Sequence, residues 1–326
     1  MTPHGRRDPG SSGTAAIGFR ATALLVMLAA LAGCEHRAGV VGVTGVVWDR
    51  VTPSPIVSAD SPDWHGDSIA FQVVETGLDR IAVADEDGSG IQVQPETGGA
   101  GSRNPRWVAD GLLVHSSNLS GSEDLWYRDV ASGGARRLTS LAGNEWSPVP
   151  RPGRPGLVYV EGSDPSSGRL VLIPDTAAAP LGRIYLTPGT LAASEPDWDP
   201  AGERLCFTVR NPDGSSQIWS LSMRDTLPIQ LTVGVSPQPL TGPQIDRNPR
   251  FSPDGTSILI ASNRGNRWGV WTLSPLGEAR GLTLIAQDLP NAEIRHPAWS
   301  PDGTRILLSS DRSGGRALWR LSNLGI

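Results

Sequence analysis

The stretch that decides the fold is Pro297–Ile306, which reads PAWSPDGTRI, and Pro249–Ile258 repeats it as PRFSPDGTSI. In both copies a Pro-x-aromatic step precedes a Ser-Pro-Asp-Gly turn and an apolar residue. Proline presets φ for the second turn position, and glycine adopts a conformation that other residues resist. The stretch therefore predicts a strand, a tight turn and the start of a second strand.

The Pro-x-aromatic step recurs along the chain at a nearly constant spacing. The steps begin at Pro62, Pro105, Pro148, Pro196, Pro249 and Pro297. The copy at Pro148 is degenerate, because Pro150 stands where the others have an aromatic residue. Successive steps are 43, 43, 48, 53 and 48 residues apart, which is the length of a four-stranded propeller blade. The chain is therefore predicted to be all-β, a six-bladed antiparallel β-propeller.

Each repeat continues with an apolar strand, a polar loop, a third strand with a second aromatic residue, and a short strand that ends in Leu-Thr, as at Leu231-Thr232. The sixth repeat stops before its Leu-Thr strand. Val43–Trp48, which precedes the first repeat, has strand composition. We therefore predict that this N-terminal strand pairs as the missing outer strand and closes the ring, so that the propeller spans residues 43–326.

Eight of the eleven tryptophans lie at the two aromatic repeat positions. Two interpretations are open: a sugar-binding aromatic platform, or a set of wedges that pack between neighbouring blades. Placement in nearly every repeat favours packing, because a flat blade cannot bury its faces alone. Cys206 occupies a repeat position that is otherwise apolar, which predicts a small core residue.

The N-terminus has the pattern of an export signal. Arginines precede the apolar run Ala21–Gly33, which is too short to span a bilayer. Leu31–Cys34 reads LAGC and resembles the lipobox of bacterial lipoproteins. The resemblance implies a lipoprotein signal peptide at 1–33, lipid attachment at Cys34 and a short tether at 34–42. Glu35 follows the cysteine, which favours the outer membrane, facing the periplasm.

The run Pro-x-Trp-Ser-Pro-Asp-Gly-x-x-Ile at Pro297–Ile306 resembles the TolB-like β-propeller repeat. The resemblance covers about residues 60–326, without the N-terminal α/β domain of TolB. It implies a periplasmic binding scaffold with no single fixed ligand.

The composition and the motifs argue against several function classes. The net charge is −5 and there is no basic block, which argues against a nucleic-acid partner. The Gly-x-Ser-x-Gly nucleophile elbow does not occur, and His36, His65, His115 and His296 lack metal-ligand spacing. Loops such as Asp85–Gly88 favour Asx-turns over calcium sites. We therefore predict no catalytic residues, no metal and no cofactor.

Candidate binding residues lie between the proline and the aromatic residue of the repeat. Asp63 and Asp197 hold this position in the first and fourth repeats, and Arg106 and Arg250 hold it in the second and fifth. Like residues should therefore face each other across the axis of a six-bladed ring. Two roles are open: charge pairing between blades, or capture of a peptide carboxylate at the channel mouth. His296 and its repeat equivalents are predicted to face the same channel.

The function expected from the sequence is that of a non-enzymatic, monomeric envelope lipoprotein. Its propeller would bind an envelope protein or peptide, and Cys34 would anchor it to the membrane. Two alternatives are open: a lyase or hydrolase acting on envelope glycan or peptide through the channel mouth, and a purely structural lipoprotein.

Overall fold

The computed structural model describes residues 45–53, 58–96, 98–177, 182–225, 227–233, 242–277 and 281–325. The predicted signal peptide, Cys34 and the tether lie outside these residues. The described part is built of strands: β1 (Val47–Arg50), β2 (Ala59–His65), β3 (Ser68–Glu75), β4 (Leu78–Asp85), β5 (Gln92–Val93), β6 (Ser102–Ala109), β7 (Leu112–Ser117), β8 (Asp124–Asp129), β9 (Ala135–Arg137), β10 (Asn144–Pro150), β11 (Leu157–Asp164), β12 (Ser167–Ile173), β13 (Ile184–Tyr185), β14 (Ala193–Trp198), β15 (Arg204–Arg210), β16 (Ser216–Ser222), β17 (Pro228–Gln230), β18 (Asp246–Phe251), β19 (Ile258–Ser262), β20 (Gly269–Leu273), β21 (Leu282–Gln287), β22 (Ile294–Trp299), β23 (Ile306–Ser310) and β24 (Ala317–Ser322).

The strands form antiparallel meanders, and each meander begins with the strand that carries the repeated proline. Three meanders are separate four-stranded sheets: β2 to β5, β6 to β9, and β18 to β21. The strands β10 to β17 form one eight-stranded sheet, in which the pair Gly168 and Ala193 joins two meanders. Among the described residues, no helix is long and apolar enough to cross a membrane.

The last meander, β22 to β24, has β1 as its fourth strand. Val47 pairs with Ser322 and Arg50 with Trp319 in antiparallel register. The prediction placed this strand at Val43–Trp48, whereas the observed strand starts at Val47 and runs to Arg50. Gly45 has a φ of 119° in a turn just before the strand, which accounts for the later start. Residues 43 and 44 lie outside the described part.

A threonine after the outer strand caps the third strand in several meanders. Its Oγ1 accepts a backbone N–H, and the pairs are Thr139 with Leu125, Thr187 with Leu170, Thr232 with Ile218, and Thr52 with Leu318. The first three threonines belong to the Leu-Thr pairs of the sequence repeat. Thr52 follows β1 and makes the same bond at 3.0 Å. The segment Val51-Thr52 therefore takes the place of the Leu-Thr pair that the last repeat lacks.

The apolar core lies between neighbouring meanders. One cluster joins Cys206 and Ile218 of the fourth meander (β14 to β17) to Phe251 and Trp271 of the fifth (β18 to β21). Another joins Trp64 of the first meander to residues of the last. The repeated aromatic residues are therefore packed between sheets, and Cys206 is fully buried.

The proline-bearing strands contact one another in sequence. These contacts are β2 with β6, β6 with β10, β10 with β14, β14 with β18, β18 with β22, and β22 with β2. These contacts place the proline-bearing strands next to one another and bring their repeated polar positions close together.

Candidate functional site

A backbone irregularity in each proline-bearing strand builds the central site. The register shifts at the proline in all six strands, for example between Asp60 and Asp63 and between Arg295 and Ala298. Proline has no N–H to donate, so the ladder is interrupted there and a bulge forms. The residue before each proline has a positive φ of 46–53°: Ser61, Asn104, Ser147, Glu195, Asn248 and His296.

These six polar residues line one small depression of about 50 Å³, here called the mouth. The sequence pattern predicted that they share the channel, and the structure brings them together. Pro105, Pro148, Pro196, Pro249 and Val149 supply its apolar wall. An apolar wall with converging polar groups is the lining that small-molecule sites have.

Hydrogen bonds between neighbouring strands fix three mouth residues. The backbone N–H of Asn248 donates to Glu195 Oε2 at 2.8 Å, and that of His296 donates to Asn248 Oδ1 at 3.1 Å. Thr208 Oγ1 also donates to Glu195 Oε2, at 2.8 Å. Glu195, Asn248 and His296 are thus held side by side on β14, β18 and β22, three successive proline-bearing strands.

Asn248 has an unused donor. Its side chain is buried, and its Nδ2 has no hydrogen-bond partner among the described residues. A buried amide N–H without a partner costs roughly 1–3 kcal/mol. The fold therefore leaves one donor of Asn248 unused, and a small movement of its neighbours would be needed to expose that donor to the mouth.

His296 is oriented by an aspartate that the sequence analysis missed. Asp60 Oδ1 lies 2.7 Å from His296 Nδ1 and accepts Ser309 Oγ–H at 2.6 Å. Burial alone raises the pKa of Asp60, but His296, Ser309 and Arg316 outweigh it and hold the pKa well below its ordinary value. Asp60 is therefore ionised, so His296 Nδ1 carries the proton and the lone pair of the neutral ring lies on Nε2. Asp60 lies just before the bulge, but 236 residues from its histidine, so sequence spacing did not reveal the pair.

The four charged residues singled out in the sequence form one network, and its two arginines, Arg106 and Arg250, also line the mouth. Arg106 lies between the two aspartates, with Nε 3.3 Å from Asp63 Oδ1 and Nη2 bonded to Asp197 Oδ1. Arg250 Nη1 lies 3.3 Å from Asp63 and 3.4 Å from Asp197. The remaining aspartate oxygens accept the N–H groups of Trp107 and Phe251, each at 2.9 Å.

The arginines of the network donate hydrogen bonds to acceptors within the protein. Arg250 Nη2 also donates to the carbonyl of Pro62 at 3.1 Å. Burial raises the pKa of Asp197 to about 6, Asp63 adds to the rise, and Arg106 opposes it. The arrangement therefore links four strands by charge pairs. The role of the arginines in binding remains a prediction.

Other polar features have structural explanations. Asp213, Asp254 and Asp302 accept backbone N–H groups two residues along the chain, as Asx-turns do. Within the described part of the chain, no group of three or more His, Cys, Asp or Glu side chains could hold a metal ion.

Glu145, two residues before Ser147, is a fully buried acid that the sequence analysis also missed. Its Oε2 accepts a hydrogen bond from Thr139 Oγ1 at 2.6 Å, and its Oε1 has no partner among the described residues. Burial raises the pKa of Glu145 to about 7, the nearby carboxylates Asp124 and Glu161 add to the rise, and the Thr139 bond opposes it.

Glu145→Gln is expected to make the protein more stable above pH 7 by about 3 kcal/mol, and to change it little near pH 4.5. Between these pH values the folded protein holds a proton on Glu145 that the unfolded chain releases. The contribution of Glu145 to the free energy of unfolding therefore falls as pH rises from about 4.5 to about 7. Glutamine does not ionise, so the variant does not lose this stability. Urea unfolding of both proteins at pH 5 and pH 8 measures the difference. A difference that is the same at both pH values would contradict the shift.

Comparisons with known proteins support the fold. No family model matches the sequence, and no curated protein matches it either. Solved structures do match: TolB from Acinetobacter baumannii has a TM-score of 0.60 at 18% identity, over 79% of this chain and 65% of that one. A gluconolactonase from Xanthomonas campestris has a TM-score of 0.60 at 16% identity, over 85% and 89%. An oligogalacturonate lyase from Vibrio parahaemolyticus has 0.53 at 12%, over 86% and 94%.

The chain therefore has a TolB-like β-propeller fold. It spans less than two thirds of the TolB chain that it matches. The comparisons also correct the functional prediction. The expected non-enzymatic scaffold for an envelope protein or peptide is wrong as an inference from this fold, because the same architecture occurs in a lyase and a lactonase. Function must be argued from the site.

Proposed function

We propose that this protein is an enzyme that acts on a sugar-acid derivative bound in the mouth, by general-base catalysis. The observation that carries the proposal is the histidine–aspartate pair in the mouth, His296 with Asp60 at 2.7 Å. This proposal departs from the sequence-based expectation that the chain is not an enzyme.

His296 has the geometry of a general base. Asp60 holds the Nδ1 proton, and no described residue bonds to Nε2, so the lone pair on Nε2 is free to accept a proton. Ser309 donates to Asp60 and not to His296, and it is fully buried. The three residues therefore do not form a nucleophilic triad, in which the serine bonds to the histidine. Proton abstraction fits the arrangement better than attack by a serine.

Asn248 supplies the second requirement of such a reaction. When a base takes a proton next to a carboxylate, or from water that attacks a lactone, negative charge develops on the carbonyl oxygen of the substrate. A donor in a water-poor site stabilises this charge. Asn248 Nδ2 is unpartnered, and its Oδ1 is bonded to the backbone of His296. Base and donor therefore lie on adjacent strands.

The substrate class follows from the lining of the mouth. Serine, asparagine, glutamate and histidine side chains offer both donors and acceptors to hydroxyl groups, and the prolines offer an apolar wall. A galacturonate and a gluconolactone, named for the two neighbouring enzymes, are both hydroxyl-rich and both carry a carbonyl carbon at the reacting end. This shared chemistry supports a sugar-acid derivative as substrate.

His296→Gln is expected to lower kcat by about 10²–10⁴-fold, because the general base is lost. Two assays measure this fall in kcat. Elimination from oligogalacturonate is monitored by the ultraviolet absorbance of the new double bond, and hydrolysis of gluconolactone is monitored by the release of acid. Asp60→Asn should lower kcat less and change its pH profile, since Asp60 positions the imidazole without touching substrate.

The matched control is His65→Gln. His65 Nε2 lies 2.7 Å from Asp110, so this is also a histidine–aspartate pair, but it is half-exposed and outside the mouth. Its substitution should leave kcat unchanged. The proposal fails if the wild type turns over neither substrate, or if both histidine variants lose activity equally.

We also infer that the six meanders are the blades of one ring, closed by β1. The contacts of β22 with β2 and the pairing of β1 with β24 support this inference. Export, lipid attachment at Cys34 and an outer-membrane location remain proposals from the sequence. An intact-mass measurement on the native protein, which detects the acyl groups, tests them.

A further inference from the structure

A second depression, here called the basin, lies farther along the proline-bearing strands than the mouth. The mouth is lined by the prolines and the residues before them, whereas the basin is lined by the aromatic residues of the repeat and by the turns that follow. Its volume is about 380 Å³, within the range of sites that hold small molecules. Its wall is apolar and consists of aromatic side chains and turn prolines: Trp64, Trp198, Phe251, Trp299, Pro200, Pro253 and Pro301.

Both signs of charge reach the basin. All four residues of the charge network line it, whereas only the two arginines of the network line the mouth. The Oδ2 atom of each network aspartate accepts the backbone N–H of an aromatic repeat residue, Trp107 or Phe251. These oxygens therefore lie at the level of the basin. His65, which also lines the basin, is paired with Asp110 at 2.7 Å.

Each member of the network keeps some hydrogen-bonding capacity. Arg106 contacts the aspartates through Nε and Nη2, and Arg250 uses Nη1 and Nη2, so Arg106 Nη1 and Arg250 Nε have no acceptor among the described residues. A carboxylate offers about four acceptor sites. Asp63 and Asp197 each contact two arginines and one backbone N–H. One donor on each arginine and one acceptor site on each aspartate are therefore unused.

We propose that the basin binds a free amino acid with an apolar side chain, in its zwitterionic form. The ligand carboxylate accepts hydrogen bonds from Arg106 and Arg250, and the ligand ammonium group donates to Asp63 or Asp197. The side chain of the ligand packs against the aromatic and proline wall.

The balance of charge favours a zwitterion over a simple ion. The network contains two guanidinium groups and two carboxylates, and these side chains are only 9–15% exposed. A ligand with one charge would add an unpaired charge to a largely buried site, which is costly. A zwitterion leaves the site neutral. The inference concerns a second site and does not depend on turnover in the mouth.

Calorimetry at neutral pH with matched ligands tests the proposal on the wild-type protein. L-Phenylalanine carries both charges, phenylpropionate lacks the ammonium group, phenylethylamine lacks the carboxylate, and glycine lacks the apolar side chain. L-Phenylalanine should bind at least about tenfold more tightly than each of the other three, because each of them loses a charge-assisted hydrogen bond or the apolar contact. Equal or tighter binding of phenylpropionate or phenylethylamine, or no binding of L-phenylalanine, overturns the proposal.

Two substitutions locate the ligand. Ala298 lines the basin and not the mouth, and Ala298→Val introduces the side chain that Val149 has at the same repeat position. It should weaken binding of L-phenylalanine about tenfold, because the added methyl groups occupy space that the ligand needs. Arg250→Gln should weaken binding of L-phenylalanine about tenfold and that of phenylethylamine little, because only the first ligand has a carboxylate.

Arg305→Gln is the matched control. Arg305 is paired with Glu86 and lies over the ring of Trp64, but it does not line the basin. Its substitution should leave the affinity for L-phenylalanine unchanged. The ligand series and Ala298→Val keep the charge network intact, so they remain decisive if Arg250→Gln does not fold. Unchanged affinity in the basin variants, or an equal loss in Arg305→Gln, overturns the basin as the site.

Discussion

Replacing Arg106 with alanine is expected to lower the free energy of unfolding by about 3–5 kcal/mol, because it removes one partner of a buried charge network. Asp63 and Asp197 both bond to Arg106, and its side chain is 15% exposed. Without it, the two carboxylates share only Arg250. Their pKa values should rise, and the folded protein should bind protons that the unfolded chain releases. The stability deficit should therefore be smaller at pH 5 than at pH 8.

Chemical unfolding of the variant at both pH values measures this effect. Arg154→Ala is the control: Arg154 is paired with Glu203 but half-exposed, so its loss should cost at most about 1 kcal/mol. Arg106→Ala combined with Asp197→Ala should be less destabilised than the two single effects predict, since no charge is left without a partner. Equal losses at Arg106 and Arg154 would show that the network contributes no more than a surface pair.

The repeat made the core of the fold predictable from sequence. Six prolines at near-constant spacing identified the inner strands, and the alternation of Asp63, Arg106, Asp197 and Arg250 predicted that like charges face each other. The observed ion pairs have this arrangement. These inferences depended on the position of a residue within the repeat. That position can be recognised from the spacing of the prolines even where the residue type differs between repeats.

Other features depended on contacts between distant parts of the chain. Asp60 meets His296 only because β2 lies against β22, and no local pattern marks that pairing. The unpartnered Nδ2 of Asn248 depends on the positions of all its neighbours. The strand β1 was placed too early because composition alone does not fix strand ends. Comparing Val51-Thr52 with the Leu-Thr pairs of the repeats would have placed it correctly.

Deleting residues 45–52 is expected to destabilise the whole protein by about 5 kcal/mol or more, and not merely to fray one end. The deletion removes the partner strand of β24, the buried side chain of Val51, and the Thr52 oxygen that accepts the N–H of Leu318. It also leaves the edge of β24 open to association with a second molecule. Thermal unfolding and size-exclusion chromatography measure both effects. A soluble monomer with unchanged melting temperature would contradict the inferred ring closure by β1.

Point substitutions test the same inferred role of β1 in a protein that keeps this strand. Thr52→Val keeps the side-chain shape but removes the acceptor for Leu318, and should cost about 1–3 kcal/mol. Gly88 has a φ of +86°, and a methyl group added there would collide with the backbone carbonyl of Val51. Gly77 has a similar φ of +80° with open space around it. Alanine at either position strains the backbone, so the additional loss at Gly88 measures how firmly Val51 is held against the first meander. If both glycine variants lose the same stability and Thr52→Val loses none, the segment from β1 to Thr52 does not lock the first and last meanders together.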